Sequence, residues 1–194
     1  MSESKNCFFE NSVYRLCDAQ IKGGYRYYLR GEILNPKSGR HLAVVQLNPS
    51  RASDNRSDAT AGKVCNWAAR KEFAFVHFLN LFARIATIQS AVQQDTPYED
   101  LVGSENDRFL NQVLESIIKT MDSRIVFAYG RPEGVFYDLH SKRVFEVEDL
   151  LSRHRIKEVF CVGPLSYGRF PRHGRAWNKN VDFEAFNFQS VARN

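Results

Sequence analysis

Four short apolar runs constrain this chain more than any other feature. They occupy 41–47, 73–81, 124–129 and 158–162. Each is rich in β-branched or aromatic residues. Each stops abruptly at turn formers: Asn48-Pro49-Ser50, Asn80, Gly130 and Gly163-Pro164. Strands covered on both faces read this way, because no solvent face imposes alternation. Helical patterns fill the gaps between them. Val64, Trp67 and Ala68 share one face of 60–71. Phe109, Leu110, Val113, Leu114, Ile117, Ile118 and Met121 recur at helical spacing, as do Val135, Phe136, Leu139, Val144, Val147, Leu150 and Leu151. Ser104-Glu105-Asn106-Asp107 predicts a capping box before the second of these helices, with aspartate in the acidic position.

The order is therefore β-α-β-α-β-α-β. It follows an antiparallel piece in which 13–21 and 25–34 flank the turn Lys22-Gly23-Gly24. Asn35-Pro36-Lys37-Ser38-Gly39 supplies a second turn, and 181–188 a weak terminal strand or tail. The expected fold is α/β, a three-layer α/β/α sandwich with a short, mostly parallel sheet and an antiparallel N-terminal hairpin. A single domain over 1–194 is expected, with 1–40 as its antiparallel extension.

With 43% hydrophobic and 25% charged residues, 194 residues can bury a core without disulfides. The richest stretch, 73–85, is broken by His77, Asn80 and Arg84, short of the roughly 20 apolar residues of a membrane span. No membrane association is expected, and residues 1–11 are too polar and acidic for a signal peptide. Cys7, Cys17, Cys65 and Cys161 form no C-x-x-C pair, and the histidines form no metal-spaced pair. No metal, no cofactor and a reducing cytoplasm are the expectation. The composition leaves oligomeric state open.

A net charge of +5 permits nucleic acid without demanding it. Its distribution says more: no acid stands between Glu158 and Asp182, while Arg169, Arg172, His173, Arg175 and Lys179 do. Ligands of open α/β sheets bind outside the carboxyl ends of the strands, so the residues after each run are the candidates. Asn48 can hold a water or a substrate group, or only make a turn with Pro49. Asn80 can read a base edge or tie down its loop. His173 can donate to an oxygen that gains charge, or lie on the surface. Arg51, Arg169, Arg172 and Arg175 suit phosphates. Tyr129, Phe82, Trp67 and Tyr167 offer rings to a base, although the spacing of Trp67 favours the core. Asp58 and Asp54 can act as bases or cap the helix at Thr60; capping is the expectation. His77, inside its strand, reads as a satisfied interior histidine.

Two resemblances add to this. Tyr25-Arg26-Tyr27, Leu47-Asn48-Pro49-Ser50, Asp58-Ala59-Thr60, Asn80-Leu81-Phe82-Ala83, 103–107, and Gly163 through Pro171-Arg172-His173 resemble, in order, an uncharacterised bacterial and phage family, domain of unknown function 1643. It implies no activity. More distantly, the layout resembles the uracil-DNA glycosylase superfamily: Gln46-Leu47-Asn48-Pro49 matches its water-positioning motif, Phe78-Leu79-Asn80 its base-reading strand end, and the segment from Gly163 to His173 its histidine loop. The histidine here lies late, in Pro171-Arg172-His173, and Arg51 to Thr60 replaces the usual glycine-rich spacing. That resemblance implies a DNA glycosylase-like hydrolase that flips a modified or damaged base. Asn48 and His173 would be catalytic; Asn80, Ser50, Asp58, Phe82 and Tyr129 would contact substrate; Arg51, Arg169, Arg172 and Arg175 would grip DNA. The alternatives are a nucleic-acid or nucleotide binding module without catalysis, and an enzyme of free nucleotides or nucleosides.

Overall fold

The computed structural model describes residues 12–50, 52–54, 56–85, 96–132, 134 and 136–187. Its strands are β1 (Tyr14–Lys22), β2 (Tyr25–Ile33), β3 (His41–Gln46), β4 (Phe75–Asn80), β5 (Arg124–Ala128), β6 (Phe160–Val162) and β7 (Phe183–Ala185). Its helices are α1 (Ala59–Arg70), α2 (Tyr98–Val102), α3 (Asn106–Ile118) and α4 (Phe136–Arg153), with a 3₁₀ turn at Gly174–Ala176. The strands form one sheet in the order β1-β2-β4-β3-β5-β6-β7.

The apolar runs form the middle of that sheet. β4, β3, β5 and β6 are mutually parallel, with Gln46 opposite both Asn80 and Ala128. Side chains alternate across the sheet, so each strand feeds two cores. Leu42 and Val44 of β3 pack with Val64, Cys65, Trp67 and Ala68 of α1. Ala43 and Val45 pack with Leu110, Val113 and Leu114 of α3 and with Val144, Val147 and Leu151 of α4. Burial on both sides is the reason these strands lack alternation.

The expectation of a mostly parallel sheet is corrected. β1–β2, β2–β4 and β6–β7 are antiparallel, so the sheet is mixed. The hairpin joins the same sheet: β2 lies along β4, with Leu29 opposite Phe78, and buries Leu29 and Ile33 in the α1 core. Gly23 and Gly24 turn it with φ of 58° and 83°, a pairing open to glycine at little cost.

The capping box is also corrected. Glu105 stands at the N-cap of α3 with helical dihedrals, and no side chain caps the helix. Asn106 is drawn inward instead. It is fully buried, and its Nδ2 donates to the carbonyls of Asn80 and Leu81 at 3.0 and 3.1 Å. The buried Arg143 of α4 donates its Nε to the Leu81 carbonyl at 2.7 Å and pairs with Asp107 and Glu146. Carbonyls of a chain leaving a buried strand need donors, and this need outweighs a helix cap.

Trp67 lies in the core as its spacing predicts, 1% exposed, edge-on to Trp177 and Phe183. Its Nε1 donates to the Val181 carbonyl at 3.2 Å, fixing the segment that leads into β7. His77 is satisfied, between the Tyr28 hydroxyl at 2.7 Å and His41 Nδ1 at 3.0 Å, and burial pushes its pKa down to about 3. Val135 and residue 188 of the terminal strand lie outside the described residues.

Candidate functional site

Because β3 to β6 are parallel, Asn48, Asn80, Tyr129-Gly130 and Gly163-Pro164 share one edge of the sheet. The chain after β6 folds back across that edge. The Gly130 amide donates to the Pro171 carbonyl at 3.0 Å, and a Cβ on Gly130 would lie 3.4 Å from the Cβ of His173. A Cβ on the next residue, Gly174, would lie 2.7 Å from Val64 of α1 and 3.5 Å from Gln46 Nε2. His173 is thus held between the ends of β3 and β5 and the start of α1.

Under this loop lies a group of buried polar side chains. Asn80 is fully buried; its Nδ2 donates to the Arg26 carbonyl at 3.3 Å, and its Oδ1 has no partner among the described residues. Gln46, 2% exposed and paired in register with Asn80, has an Nε2 unpartnered among the described residues. Arg26 of β2 is 1% exposed; it donates to the Ala52 carbonyl at 2.8 Å, while its Nε has no partner among the described residues. Burial pulls Arg26 down to about 10, and the nearby Asp58 charge opposes that.

Asp58 caps α1 as expected. Its Oδ1 accepts from the amides of Thr60 and Ala61, each at 2.9 Å. Burial works to raise its pKa, but the Ser50 hydroxyl, those two amides and the Arg26 charge outweigh it. The carboxylate is therefore held ionised. It also occupies the amides at which a phosphate would otherwise sit. Ser50 lies between Arg26, at 3.4 Å, and Asp58.

His173 precedes the 3₁₀ turn, and its Nδ1 accepts the Arg175 amide at 3.1 Å. The ring proton of the neutral form is then on Nε2. Burial and the Arg175 charge pull its pKa below the ordinary 6.5, against the opposing Asp58 charge. At neutral pH, His173 is an uncharged Nε2–H donor.

The structure does not bring every expected residue to this group. Phe82 is fully buried, packed against Phe136 at 5.2 Å and Tyr98 at 6.1 Å. Tyr129 is 1% exposed, its ring against His140 at 4.8 Å and Phe127 at 5.5 Å. Neither offers an open face, because both follow strands whose ends are roofed by α4 and α2. The basic residues are not one row either. Arg172 donates to the Pro164 carbonyl at 2.8 Å, Arg169 rests on the rings of Tyr137 and Phe170, and Arg175 is exposed. Asn48 is half-buried just past β3, and Arg51 lies outside the described residues. Arg26 and Gln46 are what residue-by-residue reading missed. The signals were an arginine between two tyrosines in a strand and a glutamine closing an apolar run. Among the described residues no cluster of three or more His, Cys, Asp or Glu is placed to hold a metal ion. No helix among them is long and apolar enough to cross a membrane.

A mixed sheet whose parallel centre ends in a buried amide, guanidinium and imidazole group defines an α/β protein with a candidate ligand site at its carboxyl edge. The chain belongs to the family described as Protein of unknown function (DUF1643), which matches residues 26–173. That span runs from Arg26 to His173, the first and last of the residues gathered here. No curated protein and no solved structure matches the chain.

Proposed function

We propose that this protein hydrolyses the N-glycosidic bond of a modified or damaged nucleobase in DNA, on a three-layer α/β/α scaffold distantly like that of the uracil-DNA glycosylases. One observation carries the reading. Gln46 Nε2 and Asn80 Oδ1, a donor and an acceptor on paired residues of adjacent strands, both lack partners among the described residues. Each such buried group costs about 1–3 kcal/mol while unmet. A base edge presents the complementary pair of groups. Asn48 orients the attacking water, Asn80 with Gln46 reads the base, and the neutral His173 donates Nε2–H to the base as it departs with negative charge. Water is the only co-reactant. The described cysteines, Cys17, Cys65 and Cys161, are unpaired, which fits a cytoplasmic setting.

The test is single-turnover base release from a panel of modified-base oligonucleotides, with binding measured alongside. Asn48→Ala and His173→Ala should each lower the rate about 100- to 1000-fold, the usual loss for one preorganised donor, and change binding little. Asn80→Ala should alter which base is accepted. Wild-type protein that binds DNA and releases no base overturns the reading. One observation favours the second reading, binding without catalysis: the Asp58 carboxylate is already committed to Ser50 and the α1 amides.

A further inference from the structure

The chain leaving β6 makes a small protrusion beside the site. Ser166 and Phe170 pair as an antiparallel bridge, with N···O distances of 2.8 and 3.0 Å. Between them Tyr167 and Gly168 both hold left-handed backbone, with φ of 54° and 66°. That conformation is ordinary for glycine and unusual for a bulky side chain. It leaves Tyr167 79% exposed, although this is a large aromatic residue. The base of the protrusion is fixed: Phe170 is 5% exposed, and the Arg169 guanidinium lies 5.7 Å from its ring centre. Arg131, just past β5, holds its guanidinium 4.3 Å from the ring centre of Tyr167. Pro171, which follows directly, accepts the Gly130 amide, and His173 is two residues further on.

We propose that Tyr167 is a stacking platform for an unpaired base of single-stranded nucleic acid at the rim of the site, an inference that rests on the base-directed reading above. An exposed ring with a guanidinium against it suits this ligand, since every base has a π face and every linkage a phosphate. Charge complementarity chooses nucleic acid as the occupant. The segment between Glu158 and Asp182 holds no acid, so a polyanion approaching Tyr167 and Arg131 meets no carboxylate from it.

The experiment uses the full chain and a fluorescein-labelled oligothymidylate at low salt. Wild type, Tyr167→Ala, Tyr167→Trp and, as a remote exposed control, Met121→Ala are compared by anisotropy. Loss of one base stack predicts binding roughly 5- to 150-fold weaker for Tyr167→Ala. Tyr167→Trp should bind as wild type does, with its added indole fluorescence quenched by the oligonucleotide, and Met121→Ala should match wild type. Wild-type affinity in Tyr167→Ala overturns the proposal, as does failure of wild type to bind the oligonucleotide. Base release is followed in the same samples. Release with no dependence of binding on Tyr167 overturns the stacking platform alone. Binding that depends on Tyr167, without release from any substrate, supports the platform and overturns the hydrolase.

Discussion

Asn80 shows how much a single side chain is asked to do here. Its Nδ2 holds the Arg26 carbonyl, its backbone carbonyl accepts the Asn106 side-chain amide, and its Oδ1 is unmet among the described residues. His173 is defined just as narrowly, because the bond from the Arg175 amide decides which ring nitrogen carries the proton. If the neutral ring is the active form, base release should stay level as pH falls through 6.5 and decline only below it. The reason is that burial and Arg175 lower the pKa from that ordinary value. A pH–rate profile of His173-dependent release checks this; a decline centred above 6.5 would contradict it. Gly174 keeps the loop close to α1. Gly174→Ala would place a Cβ 2.7 Å from Val64 Cγ2, so either Val64 or the loop must shift. Overpacking of this kind costs about 1–3 kcal/mol. Chemical denaturation should show that loss, while the conservative enlargement of an exposed glycine, Gly39→Ala, should not, since a Cβ there meets nothing within 4 Å.

α4 carries an unusual load for a helix facing a core. Among the described residues, His140 is fully buried with neither ring nitrogen bonded, Glu148 is 7% exposed with an unpartnered Oε1, and the unpartnered Tyr129 hydroxyl belongs to the same core. Burial raises Glu148 from 4.5 to about 7 and lowers His140 from 6.5 to about 4. The two act in opposite senses on stability. The raised carboxyl contributes fully below pH 4.5, and its contribution is lost as pH rises through about 7. The depressed histidine contributes fully above 6.5 and loses its contribution as pH falls through about 4. Glu148→Gln isolates the first effect. Relative to this variant, wild type should lose stability as pH rises from 4.5 through about 7, measured by urea denaturation across that range. A pH-independent difference between the two proteins would show that Glu148 titrates normally. The helices also show what local signals conveyed. The aspartate cap of α1 was legible because Asp58-Ala59-Thr60 is a local pattern and its bonds are local. The box before α3 failed because Asn106 answers to carbonyls on β4 and just beyond it, more than twenty residues away in sequence.

The mixed sheet distributes stability unevenly across the molecule. β3 and β4 are flanked by strands on both sides and roofed by both cores, whereas β1 and β7 are edges. β1 is only partly buried, and β7 has two exposed residues in three. Amide exchange should therefore be slowest in β3 and β4, with the amides of β1 and β7 exchanging first, as expected where opening exposes few buried contacts. Mass-spectrometric exchange on peptides spanning 14–22, 41–46 and 75–80 checks that order, and equal protection in β1 and β3 would contradict it. The hairpin nonetheless belongs to the site, because β2 delivers Arg26 beneath the ends of β3 and β4.

By itself the sequence determined the four central strands, the three long helices and the shared edge at which the strands end. It could do so because burial on both faces, helical period and turn residues are properties of neighbouring positions. The tertiary structure alone decided that the sheet is mixed, since nothing local in 25–33 says which strand β2 will lie against. It alone decided that Phe82 and Tyr129 are core and that Arg26 and Gln46 join the buried polar group at the sheet's carboxyl edge. Whether a ring is covered, or an amide left unmet, depends on segments brought together from distant parts of the chain, and a buried polar group is costly only where the surrounding packing excludes its alternatives.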